Sequence, residues 1–292
     1  MAMQFLINGI IAASLYSIVG LGVGVIYWES CFFNFACASI LAFSGYFVWF
    51  IISKVDIPLI LTVPFGIFLA ILLNIALEIF VFLPMKKKSA SSLVLLLASF
   101  GLYVLLQNII SFGFGDATKI IRPMDGWQSI DILGARMTSI QLWNLLSTIV
   151  LLSTTAVFLS ITRTGLKIRA MASNSNLVTI CGVDRGKVSI ANVILSSLLL
   201  GSAGIMIAFD TDLTPTIGLI PLMMGVVVIL IAGRLSVVGM VSGAALIAFL
   251  QQLSVWLFGG DWQDAVAFII LLIFLFVKPE GFLGKKIQKA TL

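Results

Sequence analysis

The sequence contains no histidine, and only 10% of its 292 residues are charged. Without imidazole the commonest metal ligand and the usual near-neutral proton carrier are both missing, which weighs against metal-dependent hydrolysis and His-based catalysis. Cysteine is scarce as well: Cys31, Cys37 and Cys181 show no CxxC spacing and are odd in number. Neither a disulfide framework nor a zinc site is indicated, and all three are read as small apolar packing residues. No Gly-x4-Gly-Lys-Ser/Thr loop is present to cradle the phosphates of ATP; the stretch GVDRGK at 182–187 has the wrong spacing. Carboxylates are missing from the middle of the apolar runs, so proton coupling is disfavoured. No acid/base pair or activated nucleophile is placed by spacing, which disfavours an enzyme.

What the chain does have is apolar length. Hydrophobic residues make up 61% of it, too many for a soluble globule, so an all-α polytopic membrane protein is expected. The net charge of +5 could suggest a nucleic-acid partner, but the basic residues sit in short loops between apolar runs and act as topology signals. A spanning helix needs about 20 apolar residues. Scanning at that length gives 5–27, 31–52, 59–83, 93–112, 142–161 and 188–209, then the shorter 217–232, then 237–257, and last the short 265–277. The N-terminal stretch MAMQFLINGII lacks a basic n-region and a clear small-residue cleavage site, so the first span is expected to be retained. This makes eight or nine segments in a single transmembrane domain, 1–292.

Three clusters, 86–88, 163–187 and 278–289, hold twelve of the seventeen basic residues. They mark the cytoplasmic side, and the Asp-rich loops mark the outer side. Nine spans satisfy this pattern with the N-terminus periplasmic and the C-terminal tail, 278–292, cytoplasmic. The largest outer loop, 113–141, is a small capping structure, a partner contact or a solvated connection. GxxxG spacing at Gly20/Gly24 and Gly239/Gly243 predicts close helix packing.

Two interruptions stand out, WESCFFNFACAS at 28–39 and AGRLSVVGMVSG at 232–243, because broken helices at membrane depth are tolerated where protein or a watery cavity covers them. Either lines a translocation path or is an ordinary interhelical turn. Asn8, Tyr16, Asn34, Ser39, Gly233 and Ser236 are the candidate path residues. Glu78 follows Asn74 by four residues on one helical face and is expected to snorkel towards the cytoplasmic headgroups.

The most informative stretch is TRTGLKIRAMASNSNLVTICGVD at 162–184, a polar, basic interlude in an apolar chain. Residues 166–178 read as a short amphipathic helix ended by Gly182. The alternatives are a docking element that receives energy from a partner and a basic loop held at anionic lipid headgroups. In the second case the chain is an autonomous channel or secondary carrier.

The chain resembles the permease subunits of ABC importers of the high-affinity branched-chain amino-acid type, a family that includes urea and amide relatives. Asn8-Gly9, Tyr16, Leu21-Gly22, Ile26-Tyr27, Asn34-Phe35-Ala36 and Gly45-Tyr46 echo its N-terminal pattern. Thr162, Gly165, Arg169, Ala170, Ala172, Asn174 and Gly182-Val183 meet its cytoplasmic pattern. Gly201, Gly204, Gly233, Ser236, Gly239 and the stretch 279–284 resemble its C-terminal elements. Ala13, Trp28, Cys37 and Ala38 stand where the family usually has Gly, Gly, His and Gly.

The resemblance implies an ABC importer permease fold, a second homologous permease, two ATPase subunits and a periplasmic solute-binding protein, in a bacterial inner membrane. It implies that 162–187 is a coupling loop, with Thr164, Gly165, Lys167, Arg169, Ala170, Asn174 and Gly182 at the ATPase contact. No cofactor is then expected on this chain, ATP-Mg belonging to the partner ATPases. The expected solute is a branched-chain or other amino acid, or an amide such as urea.

Overall fold

The helices follow the apolar runs, and several of their starts are fixed by capping side chains. The computed structural model describes residues 2–54, 58–121, 129–132, 135–233 and 236–277. The long helices are α1 (Ala2–Ser30), α2 (Ala36–Lys54), α3 (Leu59–Leu77), α5 (Ser92–Phe114), α6 (Ser139–Ile161), α9 (Arg185–Asp210) and α11 (Val237–Phe258). A π-helical turn, Glu78–Phe82, carries α3 into α4 (Leu83–Lys87). The short helices α7 (Arg163–Ser173) and α8 (Ser175–Ile180) lie between α6 and α9. Two short apolar helices, α10 (Leu219–Ala232) and α12 (Gln263–Val277), complete the set. The Ser91, Asp184 and Ser236 side chains accept from the first-turn amides of Val94, Gly186 and Gly239, pinning the starts of α5, α9 and α11.

Each of the nine expected segments is therefore a helix among the described residues, and seven are long and apolar enough to cross a membrane. The 14 residues of α10 rise about 21 Å, short of the ~30 Å hydrocarbon layer. The segment 213–218, buried or half-buried except at Thr216, leads into it.

Burial divides the helices into two classes. The apolar stretches of α1, α2 and α9 are 67%, 72% and 72% buried, against 28%, 28% and 22% for the stretches containing α3, α5 and α6. α1 packs against α9, α10 and α11, while α2 lies on the other side of α9. Small residues make these approaches possible. Gly20 faces Val228 and the carbonyl of Gly225, and Gly243 faces the carbonyl of Val228, so the GxxxG spacings do join α1, α10 and α11. A Cβ at Gly204 of α9 would collide with the carbonyl oxygen of Leu41 in α2.

In the outer loop, Ser129–Ile132 and Ala135–Thr138 pair as an antiparallel hairpin, the only sheet among the described residues. Gln4 exchanges two hydrogen bonds with the Arg136 backbone, at 3.0 and 2.8 Å, which ties the start of α1 to that hairpin. Other expectations need correction. The helix expected over 166–178 is two helices, because Asn174 leaves the helical conformation (φ −157°) and its side chain starts α8 by accepting from Leu177 N at 3.1 Å. Of the cysteines only Cys37 is buried; Cys31 and Cys181 are exposed, and Cys31 sits in the turn after α1 with φ +54°. The tail 278–292 lies outside the described residues.

The contact between α2 and α9 gives a direct test. Gly204→Ala should destabilise the protein by on the order of 1–3 kcal/mol, seen as a lower Tm in detergent. Gly101→Ala, where nothing lies within 4 Å, should leave the Tm unchanged or slightly raised. Equal Tm values for the two variants would contradict the close approach.

Candidate functional site

The basic interlude folds as a bracket against the ends of three membrane helices. Thr162 closes α6 and opens α7 at once: its hydroxyl donates to Phe158 O at 2.7 Å and accepts from Gly165 N at 2.9 Å. Gly165, Ile168 and Met171 form the buried face of α7. Ile168 and Met171 pack with Val25 of α1, Leu159 of α6 and Val188 of α9 in a cluster separate from the main core. Gly165 has to be glycine, since a Cβ there would lie 2.7 Å from Leu159 Cα. Arg169 Nη2 donates to Ser160 O at 3.3 Å, a cation placed on the carbonyl end of α6.

The expected coupling residues therefore divide by role. Gly165 is buried and Ala170 half-buried, so they set how α7 lies, while Thr164, Lys167, Arg169 and Asn174 are exposed. Gly182, at φ +82°, makes the turn out of α8. The exposed side of the bracket also carries Leu166, Leu177 and Ile180, which are 59%, 59% and 81% exposed. Sequence reasoning overlooked these three. Their signal was available: Leu166 lies out of step with the buried Gly165, Ile168 and Met171 spacing, so it has to face away from the bundle.

The candidate path residues do not meet in one place. Asn8 is exposed and accepts a hydrogen bond from Gln4 at 3.0 Å, near the hairpin. Tyr16 is buried near Gln251 and Gln263. Gly233 (φ +75°) closes α10 and Ser236 caps α11, so 237–243 is the first part of a helix. Asn34 and Ser39 do come together at the start of α2. Asn34 Oδ1 accepts from Ala36 N at 3.0 Å, and Ser39 Oγ donates to Tyr103 O at 3.3 Å. Phe35 N is taken up by Ser99 Oγ at 3.1 Å, so this non-helical start lies beside the interior of α5.

This break has a second non-helical segment against it, which sequence reasoning did not single out. It is 213–218, where Gly218 sits so close to Ala38 that a Cβ would collide with the Ala38 carbonyl. The two non-helical starts, before α2 and before α10, thus abut. Cys37 and Ala38, two of the departures from the family pattern, are fully buried at this junction, and Trp28 folds back over Gly24 of its own helix.

Glu78 does not snorkel. It is 2% exposed and lies 2.9 Å from Lys86 Nζ, because the widened π turn and α4 bring the lysine eight residues along back beside it. Lys86 also lies 3.6 Å from Glu29, in the first break region, and donates to Ser189 Oγ at 2.9 Å. The Ser189 hydroxyl donates to Glu78 Oε1 at 2.7 Å and stands 3.2 Å from Glu29 Oε2. Asn192 Nδ2 donates to Glu29 Oε2 at 3.3 Å.

Comparison with known proteins agrees with this architecture. The profile of the family described as "Branched-chain amino acid transport system / permease component" matches residues 5–275. LivH of Salmonella typhimurium LT2, a high-affinity branched-chain amino acid transport system permease protein, is 23% identical over 296 residues, covering 97% of this chain and 96% of LivH. LivH of Escherichia coli K12 is 22% identical with the same coverage. BraD of Pseudomonas aeruginosa, a permease protein of the same description, is 21% identical over 298 residues, covering 97% of this chain and 96% of BraD. Among solved structures, PsaBC from Streptococcus pneumoniae in complex with Fab superposes with a TM-score of 0.54 at 13% identity, over 95% of this chain and 93% of that one, a likeness of fold. With the profile match running from α1 into α12, this multi-pass chain belongs to the family of branched-chain amino acid transport system permease components.

Proposed function

We propose that this chain is the membrane-crossing half of an ATP-driven importer in which α7 and α8 seat on a separate ATPase subunit. The observation that carries the reading is the bracket itself. One face is locked to α1, α6 and α9 by Ile168 and Met171, and the other presents Leu166, Leu177 and Ile180 beside Lys167 and Arg169. A solvated basic loop at lipid headgroups gives no reason for a rigid two-helix element anchored to three transmembrane helices. An apolar and basic face held at a fixed angle suits a protein groove.

In this reading the bracket faces the cytoplasm and the hairpin faces the periplasm, across a bacterial inner membrane. The N-terminus is then periplasmic and the tail cytoplasmic. The chain pairs with a second, related permease, two ATPases bind and hydrolyse ATP-Mg below, and a periplasmic binding protein delivers the solute above. The solute is a small polar molecule, a branched-chain or other amino acid or an amide such as urea. The family and the named functions of LivH and BraD support the amino-acid end of that range.

The double variant Lys167→Glu/Leu177→Asp tests the docking face. The chain should still reach the membrane and co-purify with its partner permease, while ATPase subunits are lost and uptake falls at least tenfold. Uptake at the unmutated rate with ATPases retained would overturn the docking role. Solute flux through the purified chain alone in vesicles would instead establish a channel or carrier. For the solute, competition of labelled leucine uptake by unlabelled leucine, isoleucine, valine and urea should show inhibition by the amino acids; inhibition by urea alone would move the chain to the amide branch.

A further inference from the structure

The buried charge cluster at the bracket end has no role in the docking surface, yet it is the most expensive polar feature of the described residues. Glu29, Glu78 and Lys86 bring two carboxylates to one ammonium, with side-chain exposures of 7%, 3% and 20%. Buried ion pairs are weak devices for stability, because removing the charges from water offsets most of their attraction; their best-attested use is to fix register or to switch.

Its placement says which register. On α1, Glu29 lies one helical turn beyond Val25, and on α9, Asn192 lies one helical turn beyond Val188 and donates to Glu29. Val25 and Val188 are the residues on which Ile168 and Met171 of α7 rest. The face of α1 and α9 pushed by the bracket is therefore continuous with the face that holds the charge cluster. On the far side of the cluster, Glu78 and Lys86 belong to the π turn and α4, which the bracket does not itself touch strongly. The cluster also has a spare contact: Asn192 is fully buried, its Nδ2 serves Glu29, and its Oδ1 has no partner. That acceptor stands three residues, about 4.5 Å of helix rise, beyond Ser189 on α9.

We infer that Lys86, held by Glu78 and Glu29, is the joint through which movement of α7 passes to the α3–α4 arm, and that it exchanges its α9 partner from Ser189 to Asn192 when α9 shifts. Lys86, Glu29 and Glu78 are thus positioning residues for transport. They touch neither solute nor ATP. The inference rests on the proposed docking of α7 and α8.

The test uses the assembled transporter in vesicles and reads ATP hydrolysed per solute imported. In Lys86→Met, hydrolysis should persist within about twofold while import falls at least tenfold, so the ratio rises by fivefold or more. The charge exchange Glu78→Lys/Lys86→Glu should recover much of the lost import, and Asn192→Leu should raise the ratio without lowering the yield of assembled complex. Hydrogen exchange on the same samples supplies a second readout, with Lys86→Met expected to speed exchange in 78–87 and leave 163–180 unchanged.

Hydrolysis and import falling together, or an unchanged ratio, would overturn the joint. If Lys86→Met does not assemble, Asn192→Leu decides: an unaltered ratio there overturns the partner exchange. If the unmutated chain brings down no ATPase, the importer reading itself has failed, an outcome distinct from all of these.

Discussion

In hydrocarbon an unpaired peptide group costs on the order of several kcal/mol, so a chain can leave the helix at membrane depth only where other groups take over its hydrogen bonds. The arrangement around α2 follows from that constraint. Between Ser30 and Ala36 the chain is not helical, and Asn34 and Ser99 take up the amides of Ala36 and Phe35. At the second interruption Leu213 exchanges backbone hydrogen bonds with Lys119, at 3.0 and 2.8 Å, before the chain turns in towards Gly218. Phe35 N thus finds its acceptor on α5, and Gly218 packs against the Ala38 backbone of α2.

The same constraint accounts for the division of labour among the helices. α1, α2 and α9 approach closely through Gly22, Gly45 and Gly204, and Gly20 brings α1 against α10. The remaining long helices carry large apolar side chains outward, such as Phe65, Phe80, Phe112 and Val150, as lipid contact demands. Movement in such a bundle is rigid-body movement, because tightly packed helices transmit displacement with little deformation. The bracket packs through Ile168 and Met171 on two of the most buried helices, α1 and α9.

The membrane class, the positions of the apolar segments and the basic element between two of them were legible in the sequence, because each depends on local composition. Runs of apolar residues, the polar interlude at 162–184 and Gly182 need no knowledge of distant contacts. The break at 28–39 was legible for the same reason. The segment 213–218 was not singled out because 232–243 has the stronger local signal in Gly, Arg and Ser, whereas 213–218 becomes informative only through the contact of Gly218 with Ala38.

The sequence by itself determined that the chain crosses a membrane repeatedly and carries a basic element between two of its spans, since transfer from water to lipid depends on composition along the chain. Tertiary structure alone decided that Glu78 is buried with a partner, that Gly165 serves packing, and that Glu29, Lys86 and Ser189 share one site. Lys86 and Ser189 are 103 residues apart, and no local periodicity reports a contact made across that distance. Desolvation and pairing of charge depend on three-dimensional neighbours, so a carboxylate near a span end reads alike in sequence whether it reaches headgroups or a buried lysine.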